Sequence, residues 1–292
     1  MSTRSATFRR LLREPGLLRA PGVFDGISAH LARRAGFSAA YATGAGVAAS
    51  GYGLPDVGLL TATEMVERVA VLAAATDLPL LADADTGYGN PMHVVRTVRA
   101  YEQAGVAALH LEDQAFPKRC GHLADKEIVD VDEYLPKLAA ALENREDDIV
   151  IVARTDANGP LGIDEAITRA RRYAAEGADA VFVEAPRSRI EIERIADEVG
   201  RSTGVPLVFN VVPGGLTPAL DDAELARLGF AAAIYPGALL VPVADAAAHA
   251  LAAMGGTPTP RVTGPADLFG LVGLTGWLAL DERYREGVPT CP

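Results

Sequence analysis

The chain has 292 residues, 49% of them hydrophobic, enough to bury the core of one large domain. Its 27 Lys and Arg face 38 Asp and Glu, and the resulting net charge of −11 argues against nucleic acid or an anionic membrane as partner, while leaving small anionic substrates open. Two cysteines, Cys120 and Cys291, make no disulfide framework and fit a reducing, cytoplasmic setting, and no apolar run reaches the ~18 residues of a membrane span.

The chain opens with "MSTRSATFRRLLREPG", which lacks the apolar stretch of a secretory signal. It reads as a short amphipathic helix with Phe8, Leu11 and Leu12 on one side. Short apolar runs then alternate with helix-like stretches. In chain order the strand candidates are "LLRAPGV", "AAYAT", "LPLLADAD", "AALHLED", "DIVIVART", "DAVFVEA", "PLVFNVV" and "AAAIYP". Between them lie "ISAHLARRAG", "EMVERVAVLAAAT", "PMHVVRTVRAYEQAG", "VDEYLPKLAAALENR", "IDEAITRARRYAAEG", "RIEIERIADEVG" and "LDDAELARLG", several ending in Gly, a common C-cap. An eighth, "LVPVADAAAHALAAMGG", follows the last strand. Eight unbroken strand–helix units predict a (β/α)8 TIM barrel over residues 1–256, and strands apolar nearly throughout fit burial on both faces. Residues 257–292 read as a linker, "TPTPRVTGP", and one more amphipathic helix, "ADLFGLVGLTGWLALDERY", whose apolar face would need a neighbouring subunit.

Barrel enzymes carry their chemistry at the C-terminal ends of the strands. Here those ends hold Tyr41, Thr43, Gly44 and Ala45; Asp83 and Asp85; His110, Glu112 and Asp113; Arg154; Glu184; Asn210; and Tyr235. In "LADADTGYGN", strand alternation would put Asp83 and Asp85 on one side, about 7 Å apart, and such a pair repels unless a cation or proton intervenes. With Glu112 on the next strand, an oxygen-rich site for Mg²⁺ is expected, with Mn²⁺ as the other candidate ion; solvated capping aspartates are the plainer reading. The small residues of "YATGAGVAAS" allow backbone N–H groups to approach an anion, with the Thr43 hydroxyl as a further donor, though a tight turn would look the same. Arg154 can grip a carboxylate bidentately, or serve an internal ion pair with Glu184 or Asp156.

In "FPKRCGH", Cys120 stands between Lys118, Arg119 and His122 on a long loop, 114–129, of the kind that forms lids. Cationic neighbours predict a lowered thiol pKa and a role in proton transfer. A buried, inert cysteine is the alternative. Cys291 is given no role.

"KRCGH", "GLPD" (residues 53–56), "DADTGYGN", "HLEDQ" and "ARTDA", in this order and spacing, resemble the isocitrate lyase/phosphoenolpyruvate mutase superfamily over about residues 8–253. Length and detail are similar to its short bacterial 2-methylisocitrate lyases, 2,3-dimethylmalate lyases and carboxyphosphonoenolpyruvate phosphonomutases. The resemblance implies a barrel with an exchanged eighth helix, a homotetramer, Mg²⁺, and a small di- or tricarboxylate or 2-oxo acid as ligand. It further implies Asp83 and Asp85 at the metal, with Asp56 and Glu112 supporting through water. Thr43, Gly44, Ala45 and Arg154 would hold the carboxylate of the 2-oxo acid part, and Cys120 would be the proton donor. Lys118, Arg119, Gly121 and His122 would shape the loop and bind the other substrate end; Glu184 and Asn210 join the substrate site, and Tyr41 is the candidate base. Two departures stand out: "NVVPGGLTP" has Pro213 where lyases often have Glu, and Asp125 stands where relatives often have Gly.

The expected activity is therefore a Mg²⁺-dependent carbon–carbon lyase that cleaves a 2-hydroxy di- or tricarboxylate to a 2-oxo acid and a carboxylate. The alternatives are a phosphonomutase, an oxaloacetate hydrolase or decarboxylase of the same superfamily, and a non-catalytic 2-oxo acid binder.

Overall fold

In the computed structural model, residues 3–123, 125–258 and 260–285 are described. Eight parallel strands close into a barrel in sequence order: β1 Leu18–Val23, β2 Ala40–Ala42, β3 Leu80–Asp83, β4 Ala108–Glu112, β5 Val150–Thr155, β6 Ala180–Val183, β7 Leu207–Asn210 and β8 Ala232–Tyr235, the last pairing with β1. The helices are α1 Arg4–Leu11, α2 Gly26–Arg34, α3 Gly44–Val47, α4 Ala62–Ala75, α5 Pro91–Gln103, α6 Val131–Glu143, α7 Ile163–Glu176, α8 Arg189–Arg194, α9 Asp222–Leu228, α10 Leu240–Ala253, α11 Pro265–Leu271 and α12 Leu274–Arg285. Each strand lies within its expected apolar run.

The strand pleat sorts the side chains. Leu80, Ala82, Leu109, Leu111, Ile151, Ala153, Val181, Val183 and Phe209 point outward and pack with Val69, Leu72, Val94, Val98, Tyr101, Tyr134 and Leu138 of the surrounding helices. Tyr41, Leu81, Val150, Val152, Phe182, Val208 and Ile234 form a second apolar cluster inside the barrel. Helix α1 plugs the bottom of this interior: Phe8 is fully buried among those residues. Arg4 caps the plug by donating to the carbonyls of Ala73, Gly105 and Thr76, and Arg9 pairs with Asp179. Beyond this floor the same inward period delivers Asp83, His110, Glu112, Arg154 and Asn210 to the mouth. Cross-strand register sets Asp83 beside His110 and Glu112 beside Arg154.

The C-terminal region departs from expectation in one respect. The stretch after the linker is two helices, not one, because Gly273 takes φ +79° and turns the chain between α11 and α12. Helix α10, which follows β8, buries only Leu240 and leaves Val243 and Leu251 exposed, while Ile27 and Leu31 of α2 also stand uncovered. The chain then returns over the mouth, where Leu268 and Phe269 of α11 pack with Phe24, Leu240 and Val262. Cys291 lies outside the described residues. No helix among the described residues is long and apolar enough to cross a membrane.

Phe8→Ala would open a cavity at the barrel floor and should cost about 3–5 kcal/mol of stability, read as a lowered urea midpoint at unchanged m-value.

Candidate active site

The strand ends converge on one cavity of about 300 Å³. Tyr41, Thr43, Ala45, Asp56, Asp83, Cys120, Gly121, His122, Arg154, Glu184 and Asn210 line its inner part. Its outer wall is apolar, with Val212, Pro213, Leu240, Val241, Leu268 and Phe269.

The acidic side of the cavity is crowded. Oxygens of Asp83 and Glu112 and a ring nitrogen of His110 all lie within 4.8 Å of one another. Neither Glu112 oxygen accepts a hydrogen bond, although Arg154 Nε lies 3.2 Å from one of them. Burial pushes the Glu112 carboxyl well above its ordinary range despite Arg154 nearby. Burial also raises Asp85, where Asp83 and Asp56 add to the effect against the pull of Lys118. Buried carboxylates that are under-bonded and held off ionisation are what a divalent cation would relieve, so this donor set fits one. Two features differ from the sequence expectation. Asp85 lies past the strand end with φ +46°, so simple alternation does not relate it to Asp83; instead its N–H donates to Asp83 Oδ1 at 3.1 Å. His110, not assigned to the metal from sequence, sits in the tightest group.

Lys118 is buried on this side. Its ammonium bonds Asp56 and lies 3.0 Å from Asp85. Tyr41 OH donates to Asp83 at 3.3 Å and lies 2.9 Å from His110 Nε2. Burial, and next Asp83, push the Tyr41 phenol well above its ordinary pKa, and burial lowers His110 to about 4. Tyr41 is thus a protonated phenol at neutral pH, a correction to its expected role as base. Gly44 is required by contact: a Cβ there would fall 2.5 Å from Asp83 Oδ2. Its segment is not the tight turn weighed from sequence but the start of α3, with Thr43 as N-cap accepting from the Gly46 N–H at 3.2 Å.

Arg154 stands opposite the acids, buried, and meets three carboxylates: Asp156 through Nε and Nη2 at 2.7 and 3.1 Å, Glu112 at 3.2 Å and Glu184 at 3.2 Å. The internal ion pairs weighed from sequence are therefore present, and Arg154 still lines the cavity. Burial opposes ionisation of Glu184, but Arg154 and His122 outweigh it and hold the carboxyl down at about 2. Asn210 Nδ2 donates to Glu184 at 3.0 Å. His122 Nδ1 accepts from the Leu216 N–H at 3.1 Å, which leaves the proton on Nε2, 3.3 Å from Glu184.

The loop carrying Cys120 lies across the mouth. Cys120 N–H donates to the Asp56 carbonyl at 3.0 Å, and a Cβ on Gly121 would fall 2.5 Å from Glu184 and 2.6 Å from Arg154. Only glycine lets the backbone approach this closely. The lowered thiol pKa expected for Cys120 is corrected: burial, with Asp56 adding to it, pushes the thiol up to about 12. The cations that suggested otherwise are spent elsewhere. Lys118 serves Asp56 and Asp85. Arg119, expected at the substrate, turns outward instead, 2.9 Å from Asp281 of α12. Asp125 adopts φ +58°, a left-handed backbone that Asp tolerates better than most residues.

Asp113, seen at the end of β4, faces away from the cavity and accepts from Thr155, Tyr173, Arg169 and the Asp156 N–H, which makes it structural. Tyr235 bonds Asp222 outside the site. Besides His110, sequence reasoning missed two things. Lys126 is buried under the loop, where its only signal was a lone Lys in a polar run. The apolar wall from α10 and α11 had no signal, since nothing local says where those helices dock.

The phosphoenolpyruvate phosphomutase family profile matches residues 8–254. The chain is 47% identical over 235 residues to 2,3-dimethylmalate lyase from Eubacterium barkeri, covering 80% of each. Among solved structures it superposes on a 2,3-dimethylmalate lyase with a TM-score of 0.82 at 40% identity, covering 97% of this chain and 96% of that one. Oxaloacetate acetylhydrolase in complex with 3,3-difluorooxalacetate superposes with a TM-score of 0.80 at 38% identity, covering 96% of both chains. Fold and sequence thus agree, and the chain belongs to the phosphoenolpyruvate mutase/isocitrate lyase superfamily.

Proposed function

We propose that the protein is a Mg²⁺-dependent carbon–carbon lyase that cleaves a 2-hydroxy dicarboxylate to a 2-oxo acid and a carboxylic acid. The observation that carries this reading is Cys120, a thiol kept protonated in the same cavity as Arg154 and the acidic cluster. Asp83 and Glu112, with His110 beside them and Asp56 and Asp85 around them, would hold the cation; Mn²⁺ would suit the imidazole as well as Mg²⁺ does the carboxylates. When bound, such an ion supplies charge stabilisation at the substrate's 2-oxygen.

The chain's own residues do the rest. Arg154 and the backbone N–H groups of Gly44 and Ala45 receive the C1 carboxylate. The substrate's 2-hydroxyl gives up its proton to water as the substrate binds, and the Tyr41 phenol, backed by His110, donates a hydrogen bond to the oxygen left behind. As the C2–C3 bond breaks, its electron pair goes to the leaving fragment, a carbanion next to a carboxylate. The Cys120 thiol protonates that carbon and becomes a thiolate. Gly121 and His122 close the site so that water does not quench the carbanion first.

The apolar outer wall narrows the substrate. Its residues, Val212, Pro213, Leu240, Val241, Leu268 and Phe269, provide no cation for a third carboxylate. A charged group there would lose hydration without gaining a partner. Alkyl-substituted diacids of the 2,3-dimethylmalate type therefore rank ahead of tricarboxylates such as 2-methylisocitrate. The likeness to oxaloacetate acetylhydrolase favours one second reading, hydrolytic cleavage of oxaloacetate. A homotetramer is proposed on family grounds, supported by the uncovered faces of α10 and α2.

Purified enzyme with Mg²⁺ should release a 2-oxo acid from 2,3-dimethylmalate, lose this activity in EDTA, and favour it over 2-methylisocitrate in kcat/KM by ~10-fold or more. Cleavage of oxaloacetate alone would select the second reading. Cys120→Ser should lower kcat by ~10²–10⁴-fold while substrate binding, measured by calorimetry, persists. Light scattering should give four times the monomer mass.

A further inference from the structure

Lys126 belongs to the Cys120 loop but lines no part of the cavity and has no place in the chemistry above. It is only 7% exposed, and a buried ammonium needs partners. Its Nζ donates to the Gly121 carbonyl at 2.7 Å and to Asp156 Oδ1 at 2.8 Å. Gly121 is the residue after Cys120. Asp156 is the carboxylate that takes both the Nε and Nη2 of Arg154. One ammonium thus ties the peptide beside the thiol to the group that orients the guanidinium.

The loop has other buried ties, Lys118 to Asp56 and Asp85 and the Cys120 N–H to the Asp56 carbonyl, but these reach the acidic side of the cavity, whereas Lys126 reaches Asp156 and through it Arg154. Arg119–Asp281 and Glu127–Arg285 join its outer side to α12 at 2.9 and 2.8 Å, through side chains more open to solvent. The Glu127–Arg285 pair is exposed, and pairs of that sort contribute little. The Lys126 contacts are dry, and Gly159 closes behind the Lys126 stem, where a Cβ would meet Cε at 3.2 Å. Burial opposes ionisation of Asp156, yet Arg154 and Lys126 together hold it well below the usual carboxylate range.

We propose that Lys126 is a positioning residue that fixes Cys120 relative to Arg154, so that thiol and guanidinium address one substrate at the same time. Its effect on turnover rests on the lyase reading; the tether itself does not. Without the ammonium, the Gly121 carbonyl loses its donor, and Asp156 keeps Arg154 but no longer holds the loop.

The test uses the full chain with Lys126→Met, which keeps most of the stem and removes the charge. Hydrogen exchange in residues 118–123 should accelerate by ~10-fold or more while the strand peptides stay unchanged. On the substrate identified above, kcat should fall by ~10-fold to ~10²-fold, more than KM rises, because binding is retained and the proton donor is displaced. Glu127→Gln, the exposed neighbour on the same loop, should change neither. Unchanged exchange in residues 118–123 of Lys126→Met would overturn the proposal. So would equal acceleration throughout the barrel, which would make Lys126 a general stabiliser. If wild type cleaves no substrate, the lyase reading fails, and the exchange result alone still decides the tether. Should Lys126→Met not fold, Lys126→Gln is read by the same exchange criterion.

Discussion

The site depends on one buried guanidinium. Arg154 meets Glu112, Asp156 and Glu184 at the buried end of the cavity, and removing it would leave three buried acids facing one another. Buried ion networks cost desolvation, so this one is a poor means of adding stability. What it provides is position. Two of these carboxylates are also held from another direction, Asp156 by Lys126 and Glu184 by Asn210 and His122, while Glu112 has no hydrogen-bond partner. Arg154, Asp156 and Glu184 are therefore positioned before any ligand arrives, which is the condition for electrostatic catalysis.

Burial decides the state of Cys120 as well. A thiol near cations in water would tend to ionise. Here the cations are neutralised by closer carboxylates, and burial then dominates and keeps the proton on sulfur. A proton donor is what a carbanion-forming cleavage needs, and an exposed thiolate would not serve. The cavity continues outward onto the apolar faces of α10 and α11, so its polar depth handles charge while its rim selects shape.

Much of the fold was legible because its signals are local. The strand runs are apolar on both faces, and Gly177 and Gly229 end their helices in left-handed caps. The inward period alone brings Tyr41, Asp83, His110, Glu112, Arg154 and Asn210 to one end, and the family motifs name most of the same residues. The break at Gly273 was not legible, since the apolar pattern runs on through Val272 and Leu274. That turn exists because α11 docks Leu268 and Phe269 over the mouth, a contact far away in sequence.

The sequence by itself therefore determined the barrel, the strand that carries each polar group, and the superfamily. Those follow from periodicity and from motif order, which are properties of the chain's neighbourhood along itself. Only the tertiary structure decided which charge each group meets. Lys118 and Arg119 are adjacent, yet one is buried between Asp56 and Asp85 and the other faces Asp281 on the outside. Protonation follows distance and burial, neither of which is written in chain order, and so Cys120, Tyr41 and Lys126 acquired their roles only when the loop closed over Arg154.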